Sequence, residues 1–148
     1  MFLANRQLRL GLSPKEYCIF SCIWPENRKF RSRSYTSTLV MVYRYCKGLK
    51  SITIPDTVTS IVDWAFQGCT SITEVTFPDS VTSIGSSIFS ECTALTKVTL
   101  PSKLESLGSG ALQLCKGLTE LTLPDTLTTI GNYAFSGCTG IQELVIPT

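Results

Sequence analysis

Histidine is absent from the 148 residues. Its absence removes the commonest general base, the Ser-His-Asp and Cys-His nucleophile arrangements, and every histidine-containing metal site. Charge is sparse as well: Asp, Glu, Lys and Arg make up 16% of the chain, against roughly a quarter in average domains. No run of about 18 apolar residues occurs, so no segment reads as a membrane-spanning helix. No secretory leader is expected from the first residues given, because Arg6 and Arg9 interrupt any apolar core and no small-residue cleavage site follows one. The expectation is a protein that stays inside the cell, or a chain whose true start lies upstream. There is no Asn-x-Ser/Thr sequon, so glycosylation gives no hint of secretion.

Apolar residues make up 43% of the chain, enough for one domain with a real core at this length. Ser and Thr stand where charges usually would, and with Val, Ile and Leu they favour strand over helical bundle. The net charge of +2 is unevenly spread. Residues 1–34 hold seven basic and two acidic residues (+5), whereas residues 35–148 hold six and nine (−3). Two kinds of sequence join near residue 34, and the first 34 residues read as a basic, irregular or poorly ordered segment.

The second part is periodic. Cysteines stand at 46, 69, 92, 115 and 138, and prolines at 55, 78, 101, 124 and 147, each series in steps of 23. Two residue types sharing one period five times over mark a repeat architecture. With Cys as position 1, the unit reads C-x-x-L-x-x-L-x-L-P-D-x-V-T-S-I-G-x-x-A-F-x-G. Repeats cover 46–68, 69–91, 92–114 and 115–137, followed by a partial repeat 138–148. A degenerate half-repeat, 35–45, comes first, with Tyr35-Thr36-Ser37 at the Val-Thr-Ser positions, Thr38 at the Ile position and Val42-Tyr43 at Ala-Phe.

Spacing within the unit predicts its shape. Leu121 and Leu123 alternate, as in a strand with one buried face. Pro124 ends that strand, and Pro-Asp is turn chemistry in which Asp bonds its own backbone. Leu127 and Ile130 fit a short extended segment bending at Gly131. Ala134, Phe135, Cys138 and Ile141 fall at i, i+1, i+4 and i+7, the face of a short helix. Positions 1, 4, 7, 9, 13, 16, 20 and 21 point inward, and stacking buries each against its counterpart in the next coil.

The string Phe77-Pro78-Asp79-Ser80-Val81-Thr82-Ser83-Ile84-Gly85, with Ala134-Phe135-Ser136-Gly137-Cys138, resembles the BspA-type leucine-rich repeat. The resemblance covers residues 35–148. It implies an α/β repeat solenoid, a right-handed superhelix with a parallel sheet on one face and short helices on the other. It also implies a binding scaffold displayed at the cell surface or secreted, with no catalytic residues and no cofactor to carry over. Residues 1–34 match nothing in it.

The exposed strand face is the candidate site. Position 8 reads Thr53, Thr76, Thr99, Thr122, Val145; position 6 reads Ser51, Glu74, Lys97, Glu120, Glu143; position 5 reads Lys50, Thr73, Thr96, Thr119, Gln142. On parallel coils like charges stack and repel, and Lys97 between Glu74 and Glu120 relieves this without any ligand. The expectation is a hydroxyl-rich, mildly acidic sheet that binds a protein or peptide. The alternative is a structural spacer of a longer surface protein, with a merely solvated face.

Other constellations read blandly. The periodic cysteines read as buried thiols packing as small hydrophobes, ahead of disulfides between coils and of zinc, because a single file makes no tetrahedron. Cys18 and Cys22, outside the register, read as unrelated thiols. Asp56, Asp79 and Asp125 read as turn residues rather than a calcium column, which Ser102 would interrupt. Thr57/Thr59, Ser80/Thr82 and Thr126/Thr128 suggest an ice-binding ladder, broken by Lys103/Glu105. The basic run Asn27-Arg28-Lys29-Phe30-Arg31-Ser32-Arg33-Ser34 suits nucleic acid or a nuclear-import signal, but no nucleic-acid-binding fold accompanies it, so nucleic acid is disfavoured. Thr148 follows the fifth strand without a polar capping repeat. The expectation is therefore that the chain continues, or that its open end associates with another chain.

Overall fold

The structure is a computed structural model that describes residues 38–39 and 43–147. The basic segment 1–34, Cys18, Cys22, Tyr35 to Ser37, Val42 and Thr148 lie outside the described residues. Eight short strands follow one another: β1 (Thr38–Leu39), β2 (Ser60–Ile61), β3 (Glu74–Thr76), β4 (Ser83–Ile84), β5 (Lys97–Thr99), β6 (Ser106–Leu107), β7 (Glu120–Thr122) and β8 (Thr129–Ile130). They form two parallel sheets, β1-β2-β4-β6-β8 and β3-β5-β7. Each pairing joins residues one repeat apart, as in Val75↔Val98↔Leu121 and Ile61↔Ile84↔Leu107. The only exception is the lead-in pair, Thr38↔Ser60 and Leu39↔Ile61. The chain is therefore a solenoid of stacked coils.

The inward columns are those expected. Cys69, Cys92 and Cys115 are fully buried, and so are Ile72, Leu95 and Leu118 at position 4. Position 21 stacks aromatic rings: Tyr43 on Phe66 at 5.8 Å and Phe66 on Phe89 at 5.3 Å, with Phe77 edge-on to Phe89 at 6.0 Å. Leu112 then interrupts the aromatic file, which resumes with half-buried Phe135. Burial at roughly 25 cal/mol per Å² makes this shared core the main stabilising contribution.

One expectation is sharpened and two are corrected. The short extended segment at positions 15 and 16 is a second sheet, running through all five coils. The short helix is not there: among the described residues no helix occurs. Tyr45, Trp64, Ser87, Glu91, Leu114 and Tyr133 hold φ between 53° and 66°, as Gly68, Gly110 and Gly137 do between 61° and 75°. These are positions 19 and 23. Two left-handed residues per coil prevent a right-handed helix from propagating. Alternate amides instead donate to the next coil, as Trp64 N to Ser86 O, Phe66 N to Ile88 O and Gly68 N to Ser90 O, at 2.8–2.9 Å. Third, Leu39 and not Thr38 stands in register with Ile61. The lead-in coil is one residue shorter between that position and Tyr43 than the full repeats are.

Glycine at position 17 sets how closely the coils approach. A Cβ on Gly108 would lie 2.5 Å from the Gly85 carbonyl carbon, and one on Gly85 would lie 2.7 Å from the Asp63 amide nitrogen.

Candidate binding face

The three-stranded sheet alternates strictly. Val75 and Val98 are buried and Leu121 half-buried, while Glu74, Thr76, Lys97, Thr99, Glu120 and Thr122 are exposed. Parallel register places Glu74, Lys97 and Glu120 in one row and Thr76, Thr99 and Thr122 in another. Neighbouring members of a row stand about 4.8 Å apart along the solenoid. Lys50, Ser51 and Thr53 before this sheet, and Gln142 and Glu143 after it, are also exposed but belong to no strand.

Side-chain hydrogen bonds divide the hydroxyls into two groups. Thr96 and Thr119, at position 5, each donate to a carbonyl one coil back, Thr73 O at 3.0 Å and Thr96 O at 3.3 Å. Thr126 and Thr128 do likewise toward Ser102, Leu104 and Glu105 carbonyls, and Ser80 toward Val58. That engagement takes the Ser80, Thr126 and Thr128 hydroxyls out of the suggested ice-binding ladder. Thr76, Thr99 and Thr122 make no such bond among the described residues, so their hydroxyls face solvent.

Lys97 Nζ reaches Glu120 Oε2 at 2.7 Å. The Glu120 carboxylate, and more weakly that of Glu74, holds the Lys97 ammonium pKa above its ordinary value. Both partners are exposed, so screening leaves the pair little stabilising weight; it fixes the position of charge. A groove of about 610 Å³ opens beside it, bounded by Lys97, Thr99, Glu120, Thr122, Asp79 and Ser102.

Asp79 departs from the expected turn pattern. Its Oδ1 accepts the Ser102 amide and the Ser102 hydroxyl of the next coil, both at 2.9 Å, instead of capping its own backbone. The Ser102 amide, then the Ser102 hydroxyl, hold the Asp79 carboxyl below its ordinary pKa. Asp63 does the same to the Ser86 amide at 2.7 Å. The turn itself closes through the proline carbonyl, Val81 N to Pro78 O at 3.1 Å. Ser102 thus occupies the Asp position as a hydrogen-bond donor.

The cysteine column is a ladder of thiol donors. Cys69, Cys92, Cys115 and Cys138 donate to the carbonyls of Tyr43, Phe66, Phe89 and Leu112 at 3.0–3.2 Å. Cys92, Cys115 and Cys138 are free thiols, whereas Cys46, the first of the column, is disulfide-bonded, against the expectation of buried thiols throughout. Burial pushes the Cys92 thiol far up and that of Cys115 to about 12. Among the described residues no group of three His, Cys, Asp or Glu side chains is placed to hold a metal. No described helix is long and apolar enough to cross a membrane.

Sequence reasoning passed over a second surface. Trp64, Tyr133, Tyr45 and Leu114 project from the turn columns at positions 19 and 23 and are exposed. The signal available was Tyr45 and Leu114 in place of the consensus Gly at position 23, and large aromatics at position 19, where the third repeat has Gly110.

Known proteins frame these observations. No curated protein matches. A leucine-rich repeat protein from Bacteroides ovatus is 33% identical with a TM-score of 0.68, over 74% of this chain and 29% of that one. A Leucine Rich Repeat protein of T. pallidum is 34% identical with a TM-score of 0.68, over 71% of this chain and 50% of that one. A leucine rich cell surface protein from Faecalibacterium prausnitzii is 27% identical with a TM-score of 0.56, over 69% of this chain and 34% of that one. This chain therefore spans half or less of the length of each. The BspA type leucine rich repeat region matches residues 40–148 in six copies. This chain belongs to the BspA-type leucine-rich repeat family.

Proposed function

We propose that the solenoid is an adhesion or protein-interaction module of a surface protein, and that its strand face makes the contact. Leucine-rich repeat proteins in general mediate such interactions, and one of the similar structures is named a cell surface protein. The observation that carries the assignment of the face is the row Thr76-Thr99-Thr122. These are exposed hydroxyls at regular spacing without a hydrogen-bond partner among the described residues, beside a charge pair held at a fixed place. A protein or peptide segment crossing the coils meets one hydroxyl per coil and an anion–cation pair that fixes its orientation. Thr53, Ser51, Lys50, Gln142 and Glu143 extend the face at its two ends.

A photo-crosslinking residue placed at Thr99 tests this against the same residue at exposed Thr82. Capture of one partner from position 99 alone is the expected result. Thr99→Arg/Thr122→Arg, whose side chains obstruct the groove from the solvent side, then lowers affinity for that partner at least tenfold. Equal capture from both positions, or unchanged affinity, refutes the assignment to this face.

A further inference from the structure

Position 19 reads Trp64, Ser87, Gly110 and Tyr133, with φ of 59°, 53°, 61° and 59°. Glycine takes this left-handed conformation freely and bulky L-residues resist it. The chain itself uses glycine there in the third repeat. Trp64 is nevertheless 46% exposed and Tyr133 74% exposed, so core packing does not explain their size. Strain kept at exposed residues points to function.

Their order gives a shape. Two aromatic walls stand three coils apart, about 14 Å at the inter-strand spacing, with Ser87 and Gly110 as the floor between. Each wall has a neighbour from position 23. Tyr45 lies over Gly68 beside Trp64, and Leu114 lies over Gly137, where a Cβ would meet its Cδ2 at 2.7 Å. The Arg44 guanidinium sits 5.6 Å from both the Tyr45 and Trp64 rings. Ser87 and Gln113 flank Gly110 between the walls, and Ser86, Ser109 and Asn132 follow one another at the adjoining position 18. The nearby carboxylates are engaged, Asp63 by the Ser86 amide and Glu91 by the Gln67 amide group.

We infer that this turn face binds a neutral oligosaccharide lying along the solenoid axis, with sugar rings on the two aromatic walls. The C–H face of a pyranose carries slight positive charge and stacks on the negative face of an aromatic ring. The hydroxyls of the sugars between the walls meet Ser, Gln and Asn groups that donate and accept. The Asp63 and Glu91 carboxylates beside the floor, still charged, disfavour acidic glycans. A protein partner would place its buried anchors at the centre of the contact, whereas the centre here is serine and glycine. This surface is separate from the strand face, and neither reading depends on the other.

Titration calorimetry of the full chain with cellohexaose, maltohexaose and chitohexaose, beside a heparin hexasaccharide, tests the proposal. At least one neutral hexasaccharide binds, with a change in tryptophan fluorescence, and the heparin fragment does not. Trp64→Gly and Tyr133→Gly, which match the residue native at Gly110, keep the melting temperature and each weaken binding about tenfold or more. Thr99→Arg/Thr122→Arg leaves glycan binding intact, so failure of this proposal and failure of the strand-face assignment read out separately. Absence of neutral-glycan binding at millimolar concentration overturns the proposal. So do equal binding of the heparin fragment, full binding by both glycine variants, and loss of self-association as their sole effect.

Discussion

Gly108→Ala is the sharpest probe of how the coils stack. Gly108 has no positive φ, so alanine suits its backbone and the glycine is there for space. An added Cβ would stand 2.5 Å from the Gly85 carbonyl carbon, 2.6 Å from its oxygen and 2.6 Å from the Ser86 nitrogen. Ordinary carbon contacts lie at about 3.5–4.0 Å, so the overlap is about 1 Å against backbone that no rotamer change can move. Relief requires the two coils to part. The bonds nearest the parting are Gly108 N to Ile84 O at 2.9 Å and Ser87 N to Ser109 O at 2.8 Å. Overpacking of this kind costs about 1–3 kcal/mol, and two weakened bonds add about 1 kcal/mol each. The narrower unfolded ensemble of alanine returns about 0.4–1 kcal/mol. The net loss is about 3 kcal/mol, or about 6–12 °C in Tm at about 2–4 °C per kcal/mol for a chain near this size. Gly110→Ala is the control. Its φ is 61° and its Cβ meets only Ser87 Oγ at 3.1 Å and Gln113 Oε1 at 3.4 Å, so the cost is about 1 kcal/mol of left-handed strain. Circular-dichroism melts of the two variants compare them directly. A Gly108→Ala protein that melts no lower than Gly110→Ala refutes the close-approach explanation.

Asp79→Asn tests the coil-to-coil cap. The folded carboxyl is held below 3.8 by its Ser102 donors, so its contribution is full above 3.8 and fades as pH falls through the folded value. The wild type therefore melts above the variant at pH 6, the gap closes toward pH 2, and a gap that widens on acidification refutes the cap. The thiol ladder predicts alkylation in the order Cys138 first, with buried Cys69, Cys92 and Cys115 unmodified until unfolding; peptide mapping that finds Cys92 and Cys138 labelled alike contradicts it. Because burial raises the Cys92 and Cys115 thiol pKa values above 9.0, their stabilising contribution is complete below pH 9 and declines as pH rises further, which alkaline melts read out. Phe89→Ala empties the aromatic stack at about 3–5 kcal/mol, while Phe89→Leu, the residue found at Leu112, costs about 1–1.5 kcal/mol; urea titration separates them.

Much of the fold was legible because a solenoid writes its core as columns of one residue type. Cys69, Cys92 and Cys115 revealed the period and are stacked by it, and alternation at positions 6 to 8 revealed the sheet. The helix was misread for a physical reason. Ala134, Phe135, Cys138 and Ile141 share one face in a helix, and equally in a chain that reverses twice through left-handed residues. Side-chain spacing does not distinguish the two backbones. The glycines did, since Gly68, Gly110 and Gly137 mark in sequence the positions where φ turns positive. The lead-in register was missed because Leu39 is reached after one residue fewer, and a fixed period cannot register a deletion.

The candidate site was legible only by composition. Thr96, Thr99, Thr122 and Thr126 are the same letter, yet two donate to carbonyls 22–24 residues earlier and two do not. Which fate a hydroxyl meets depends on whether its pleat turns it toward the neighbouring coil's carbonyl or away from it. In a molecule held together by repetition, the interior requires sameness, because each buried position packs against its own copy. Exposed positions are under no such demand, and Trp64 and Tyr133 stand at an unpatterned one where glycine would be easier. Binding specificity in such a chain is therefore to be sought where the period fails on the outside, and stability where it holds on the inside.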